Sequence, residues 1–168
     1  GLGKLSAGDT LTLQDGTYQG SSQMLNIAGF SDGSAGNVIT VRALNEGSVF
    51  IDGEFVRTPF NANGNDYWTI TGIDFGNAGD TSSTDWVIQL ASSTHITMQR
   101  ICGSNSKQGD SVSAKGMVMG FYGVVTDSLF EDFCLFGTGR NILVEQSNGS
   151  NNVFRRFWMR FEGWCHDG

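Results

Sequence analysis

The feature that most constrains this chain is a repeat. Residues 65–77 read NDYWTITGIDFGN. Trp68, Ile70, Ile73 and Phe75 are apolar and flank the polar step Thr71-Gly72. That pattern reads as a strand, a sharp bend and a second strand facing the same core. The form returns 28 residues on as Ile96, Met98 and Ile101, with Gly103 in the last place. Taking the second core position of each copy as an anchor gives Leu13, Val41, Ile70, Met98, Val125 and Phe154, at spacings of 28, 29, 28, 27 and 29. Three residues past the anchors lie Gly16, Leu44, Ile73, Ile101, Ser128 and Phe157; five past lie Tyr18, Glu46, Phe75, Gly103, Phe130 and Met159. Copies at a nearly fixed period identify a solenoid.

Alternation within each copy has period two, so the units are strands rather than helices. Most copies carry a second short apolar run: 24–27, 49–51, 86–90, 117–119 and 142–144. The pattern predicts an all-β fold, a parallel β-helix of about six coils of roughly 28 residues. Its rungs would stack at about 4.8 Å, the ordinary strand spacing. A β-sandwich of similar strand count is the alternative, and its strands do not repeat in register. Ile70, Met98 and Val125 are therefore expected in one inward stack. Their separation onto different sheets, or an antiparallel arrangement, counts against the prediction. Excursions 76–85 and 103–115 leave at one phase, and Asn77 and Asn105, 28 apart, are expected to stack as an asparagine ladder.

Length and composition fit one domain over residues 1–168, with 39% hydrophobic residues to form its core. Only 16% of residues are charged, while glycine and small polar residues abound, a secreted β-protein composition that predicts an extracellular location. The net charge of −7 argues against a general nucleic-acid binder. That charge is uneven: residues 1–84 hold 3 basic and 9 acidic side chains, and residues 85–168 hold 7 and 8. No apolar stretch within residues 1–168 is expected to cross a membrane or to read as a signal peptide. Three cysteines, Cys102, Cys134 and Cys165, leave at least one thiol unpaired. Their spacings match no metal pattern, so free buried or half-buried thiols are expected. The chain starts without Met inside a strand motif, and WCHDG follows the last coil with nothing resembling a cap. Solenoid ends are apolar unless covered. Either the solenoid continues past residue 168, or another chain covers that end through end-to-end or lateral self-association.

GDTLTLQDGTYQG followed by GNVITVRALNEGSVFIDG resembles the opening of right-handed parallel β-helix proteins of the pectate-lyase-like superfamily. The order of these motifs is most similar to the chondroitinase B and alginate lyase group. They cover about the first 53 residues, and the coil repeat extends the superfamily resemblance over nearly the whole chain. Residues that build coils speak to fold more than to activity. The resemblance implies an extracellular protein that binds an acidic polysaccharide or cleaves it as a lyase. In that group a Ca²⁺ held by Asn and Glu neutralises the uronate, a Lys takes the proton, and an Arg assists the leaving oxygen. No match to that cluster is present, and no lysine follows Lys115. Calcium is thus implied by the resemblance alone, and no metal ligand or catalytic residue is assigned. The other reading is a non-catalytic solenoid, a fibre, tail or adhesive segment that works through assembly. Ice binding needs a regular outward threonine array, which the column Thr71, Gln99, Thr126 does not supply.

The same register sorts charges. It puts Arg100, Asp127 and Arg156 in one column, and Glu131 with Arg160 in another. Opposite charges on neighbouring rungs form plain surface ion pairs. Trp158 adds a functional reading, because a sugar ring can lie on an aromatic face while Arg grips its carboxylate. The candidate substrate-binding residues are Arg155, Arg156, Trp158, Arg160, Asp127 and Glu131. They are expected in one exposed or groove-lining patch, with Asp127 and Glu131 a rung below the arginines. Asp127, Glu131 and Asp132 have arginine neighbours and read as structural, not as a hydrolase's paired carboxylates. His95 reads as a turn residue, and His166 as part of a frayed terminus.

Overall fold

A computed structural model describes residues 1–79, 84–106, 115–137 and 142–160. The chain winds over three faces. The first carries β1 (Thr10–Leu13), β4 (Ile39–Ala43) and β7 (Trp68–Thr71). The second carries β2 (Gly16–Tyr18), β5 (Val49–Asp52) and β8 (Ile73–Ala78). Three longer strands, β10 (Thr97–Ser106), β12 (Leu129–Phe136) and β14 (Val153–Arg160), turn the corner and serve both. Thus β10 pairs with β7 through residues 97–99 and with β8 through residues 103–106. The third face stacks β3 (Leu25–Asn26), β6 (Phe60–Asn63), β9 (Thr84–Ala91), β11 (Lys115–Thr126) and β13 (Ile142–Ser150). Every pairing between described strands is parallel. Parallel partners need a long crossover, and here the rest of each coil provides it. The fold is a parallel β-helix, as the repeat predicts.

The register departs from a fixed period in two coils. On the first face the inward stack is Leu11, Val41, Ile70, Met98, Phe130 and Phe154. Leu13 is not in it, since it pairs with Ala43. Val125 is fully buried, but it belongs to β11 on the third face. Ile70, Met98 and Val125 therefore do not form one stack, and Phe130 takes the expected place of Val125. The true steps are 32 residues to Phe130 and 24 to Phe154, whose total matches the expected 27 and 29. Both Val125 and Phe130 face the core, on either side of a corner, so hydrophobicity alone does not separate them.

The stack on the second face is Tyr18, Ile51, Phe75, Gly103, Leu135 and Met159. Ile51 replaces the expected Glu46, and Leu44 is 52% exposed instead of inward. The cause is corner length. Residues 44–48 separate β4 from β5, whereas Gly72 alone separates β7 from β8. Gly103 has a packing reason: a Cβ there would lie 2.8 Å from Val118 Cγ1 and 3.0 Å from Leu135 Cδ2. Its bare backbone lets the third face close against the second.

Corners repeat a left-handed residue on successive rungs, so outward side chains form parallel columns. The first corner uses Gly72 (φ 74°), Arg100 (50°), Asp132 (53°) and Arg156 (52°). Asp132 completes this column, not Asp127. The second corner uses Asn77 and Asn105, a residue type that tolerates this conformation. Asn105 Nδ2 donates to Asn77 Oδ1 at 3.2 Å, and Asn77 Nδ2 to Asp52 Oδ1 at 2.9 Å. This is the expected ladder, ending on an aspartate. The third corner uses Tyr67, His95, Asp127 and Asn151. The outward column through Thr71 runs Thr12, Arg42, Thr71, Gln99, Glu131 and Arg155, and offers no regular threonine array. The neighbouring column holds Thr10, Thr40, Thr69 and Thr97 before giving way to Leu129. Cys102 and Cys134 are register neighbours and form a disulfide, which corrects the expectation of free thiols at these positions. Cys165 and His166 lie outside the described residues. No helix among the described residues is long and apolar enough to cross a membrane.

Candidate functional site

The site grows from one covered carboxylate. Glu131 points outward on the first face, between Gln99 below and Arg155 above. It is nevertheless only 6% exposed. A carboxylate covered to this degree needs charged or hydrogen-bonding partners. Arg155 Nε lies 2.6 Å from Glu131 Oε2, and Arg156 Nη2 lies 2.7 Å from the same oxygen. Gln99 Nε2 donates to Oε1. Arg156 also holds Asp132 by two prongs, Nε to Oδ1 at 2.6 Å and Nη2 to Oδ2 at 3.0 Å. The Arg155 hydrogen bond, with the charge of both guanidiniums, holds the Glu131 carboxyl below its usual range despite its burial. The Arg156 hydrogen bond does the same for Asp132. Asp132 in turn raises the pKa of Arg156. These groups stay ionised through the neutral range.

Beside this cluster an open groove of about 510 Å³ runs over the first corner onto the second face. Its charged walls are Glu46, Asp74, Arg100, Asp132 and Arg156. Arg100 Nε lies 2.9 Å from Glu46 Oε2, and its Nη2 donates to Thr71 Oγ1 at 2.8 Å. The apolar wall is Phe157 and Trp158, 50% and 53% exposed. Phe157 stacks on Phe133 with ring centroids 5.2 Å apart. The outward column of the second face places Asp74, then the Cys102–Cys134 disulfide, then Trp158 along the groove. Asp74 Oδ1 accepts the Cys102 N–H at 2.9 Å. Burial pushes the Asp74 carboxyl up; that one hydrogen bond opposes the shift, and the nearby Glu46 charge adds to it.

Of the residues expected in the patch, Arg155, Arg156, Glu131 and Trp158 do come together. Asp127 does not. It sits on the third corner, where Asn151 Nδ2 donates to its Oδ1 at 3.0 Å. The Asn151 hydrogen bond, with lesser help from Thr126 and His95, holds its carboxyl low. Arg160 is opposite Phe136 at the end of β14, so it does not stand above Glu131. The expected pairing of Arg156 with Asp127 is replaced by its pairing with Glu131 and Asp132. His95 occupies a left-handed turn position, and its ring stacks on Tyr67 at 4.2 Å. The groove also recruits Glu46, Arg100 and Asp74. Arg100 was legible as a corner residue and Asp74 as an outward one, but Glu46 lies in the long corner that breaks the period.

The arrangement can grip a carboxylate or sulfate through guanidinium edges and carry a sugar ring on its aromatic wall. Among the described residues no group of three His, Cys, Asp or Glu side chains converges to hold a metal ion. The carboxylates nearest the arginines are already engaged by them.

No family model matches the chain, and no curated protein matches its sequence. Among solved structures, a polysaccharide lyase of the PL6 family from Pseudopedobacter saltans superposes with a TM-score of 0.54 at 16% identity, over 97% of this chain and 39% of its own. An alginate lyase from Paenibacillus sp. strain FPU-7 gives a TM-score of 0.47 at 14% identity, over 94% of this chain and 71% of its own. The chain thus spans 39% of the length of the first of these structures. At such identity the likeness is one of fold: this chain shares the parallel β-helix on which the first of these lyases is built.

Proposed function

We propose that this chain belongs to an extracellular protein that binds an acidic polysaccharide and takes part in its lyase-type processing. The observation that carries the proposal is the groove in which Arg100 and Arg156 face the same space as exposed Phe157 and Trp158. Anionic sugars offer both features at once, a carboxylate or sulfate for the guanidinium and a ring face for the indole. The resemblance of the first coils to the chondroitinase B and alginate lyase group supports the same substrate class. An inter-coil disulfide supports an oxidising, extracellular compartment. A uronate lyase needs a group that neutralises the carboxylate, a base and an acid. The groove's arginines serve the first need. No lysine lines the groove among the described residues, so binding is the part of the chemistry assigned to them.

One observation favours the second reading, a non-catalytic solenoid. Each groove arginine already holds a carboxylate, as an inter-coil strut would. Incubating the whole protein with alginate, pectate and chondroitin sulfate separates the two. Binding that weakens with added salt, with or without absorbance from an unsaturated product, supports the first. No binding together with concentration-dependent self-association in sedimentation supports the second.

A further inference from the structure

The groove has an unbalanced charge. Its walls carry three carboxyls, Glu46, Asp74 and Asp132, against two guanidiniums, Arg100 and Arg156. Glu46 is paired with Arg100 and Asp132 with Arg156, each through direct contact. Asp74 is left with a backbone partner, the Cys102 N–H. We propose that Asp74 is the charge gate of the groove: an anionic glycan binds when this carboxyl is neutral and is repelled when it is ionised. The inference rests on the function proposed above and adds its regulation.

The surroundings of Asp74 support this on every side. From β5 its register neighbour is Phe50, which has no charge to offer. From β10 come the Cys102 N–H and Arg100, whose Nε and Nη2 are engaged by Glu46 and Thr71. The corner after β4 brings Glu46, a like charge. From β12 come Asp132 and the Cys134 half of the disulfide, and from β14 come Arg156 and Trp158. Among the described residues no histidine lines the groove. Asp132 is held low and Asp74 is pushed above its ordinary value of 3.8 by burial. As pH falls, Asp74 takes a proton before Asp132 does, and the acidic excess of the walls shrinks. The protonated carboxyl then offers an O–H to a sugar oxygen in place of a repelling charge.

Chondroitin sulfate oligomers are the sharpest probe, because their sulfate esters stay ionised throughout, so a change with pH reports the protein. Galacturonate and alginate oligomers run in parallel. Affinity is measured by calorimetry from neutral pH down to mildly acidic pH, for the wild type and Asp74→Asn. Asparagine keeps an oxygen acceptor for the Cys102 N–H. The wild type should tighten as pH falls, and Asp74→Asn should bind about tenfold tighter than wild type at neutral pH, with a flat pH profile. In buffers of different ionisation heat, wild-type binding in the mildly acidic range should take up protons and variant binding should not. Should Asp74→Asn match the wild type in neutral affinity and in slope, or should wild-type binding take up no protons, the gate is wrong while glycan binding stands. If none of the three oligomers binds at any pH, both the gate and the function beneath it fall.

Discussion

Glu131 shows how much one side chain can organise on a solenoid surface. Three side chains from adjacent rungs converge on it, and one of them, Arg156, also borders the groove. Its carboxyl is held below the ordinary 4.5, so its contribution to stability is present above that value and is lost as pH falls through the lowered one. Thermal melts across this range should show the wild type losing Tm in acid, while Glu131→Gln starts lower at neutral pH and changes less. Parallel curves would remove the ion-pair cluster from the stability of the fold. Asp74 has the opposite sign. Its folded pKa is raised, so its contribution is present below 3.8 and is lost as pH rises through the raised value. Asp74→Asn should therefore raise Tm at neutral pH and leave it unchanged in strong acid. An equal or lower Tm at neutral pH would mean that burial does not penalise the ionised carboxylate. The arginines and Trp158 were legible because they are contiguous on one strand with Phe157, and alternation alone decides which of them point outward. Asp127 and Arg160 depended on the register between coils, and that is where the expectation failed.

At the scale of the element, corners decide the register. Coils whose first corner is the single residue Gly72 or Arg100 keep their place on both faces, and the neighbours Ile70 and Met98, and Phe75 and Gly103, were legible for that reason. Residues 126–128, Thr-Asp-Ser, mimic the polar step Thr71-Gly72 and sit just after the buried Val125. They form the third corner, and β12 begins only at Leu129. No average period reveals a long coil followed by a short one. The corrected register makes a test of its own. Phe130 lies between Met98 and Phe154 and packs edge-on against Phe121, with ring centroids 5.0 Å apart. Phe130→Ala should cost about 3–5 kcal/mol in denaturant unfolding. Gly103→Val should cost about 1–3 kcal/mol by overfilling the space shared with Val118 and Leu135. A neutral Gly103→Val would show that the second and third faces do not meet there. The disulfide joins β10 to β12 across a sequence separation of 32. The Cys102→Ser, Cys134→Ser double variant should lose about 2–4 kcal/mol, with a matching loss when the wild type is reduced. Equal stability of oxidised and reduced protein would mean that the two coils hold without the bond.

For the whole molecule, the parallel β-helix turns a linear sequence into a surface on which residues about one coil apart become neighbours. Strand character and repeat are both written into the order of apolar residues, so the fold was legible. The groove was only half legible, because Glu46, Asp74 and Arg100 join Arg156 and Trp158 through stacking between coils and not through proximity in the chain. A net charge of −7 gives the molecule no general attraction for polyanions, so affinity for an acidic glycan calls for a local cationic site such as the one proposed at this groove. The central claim is that this groove binds such a glycan through its guanidiniums and its aromatic wall. The most direct measurement is calorimetry of the whole protein, titrated with an acidic oligosaccharide at low and at high salt. Wild type, Arg156→Ala and Trp158→Ala are compared, with a thermal melt of each as the control for folding. The account predicts saturable binding in the wild type that added salt weakens. Both variants should bind at least about tenfold more weakly, and their folding transitions should remain cooperative. Wild-type affinity in both folded variants, unmoved by salt, would contradict it.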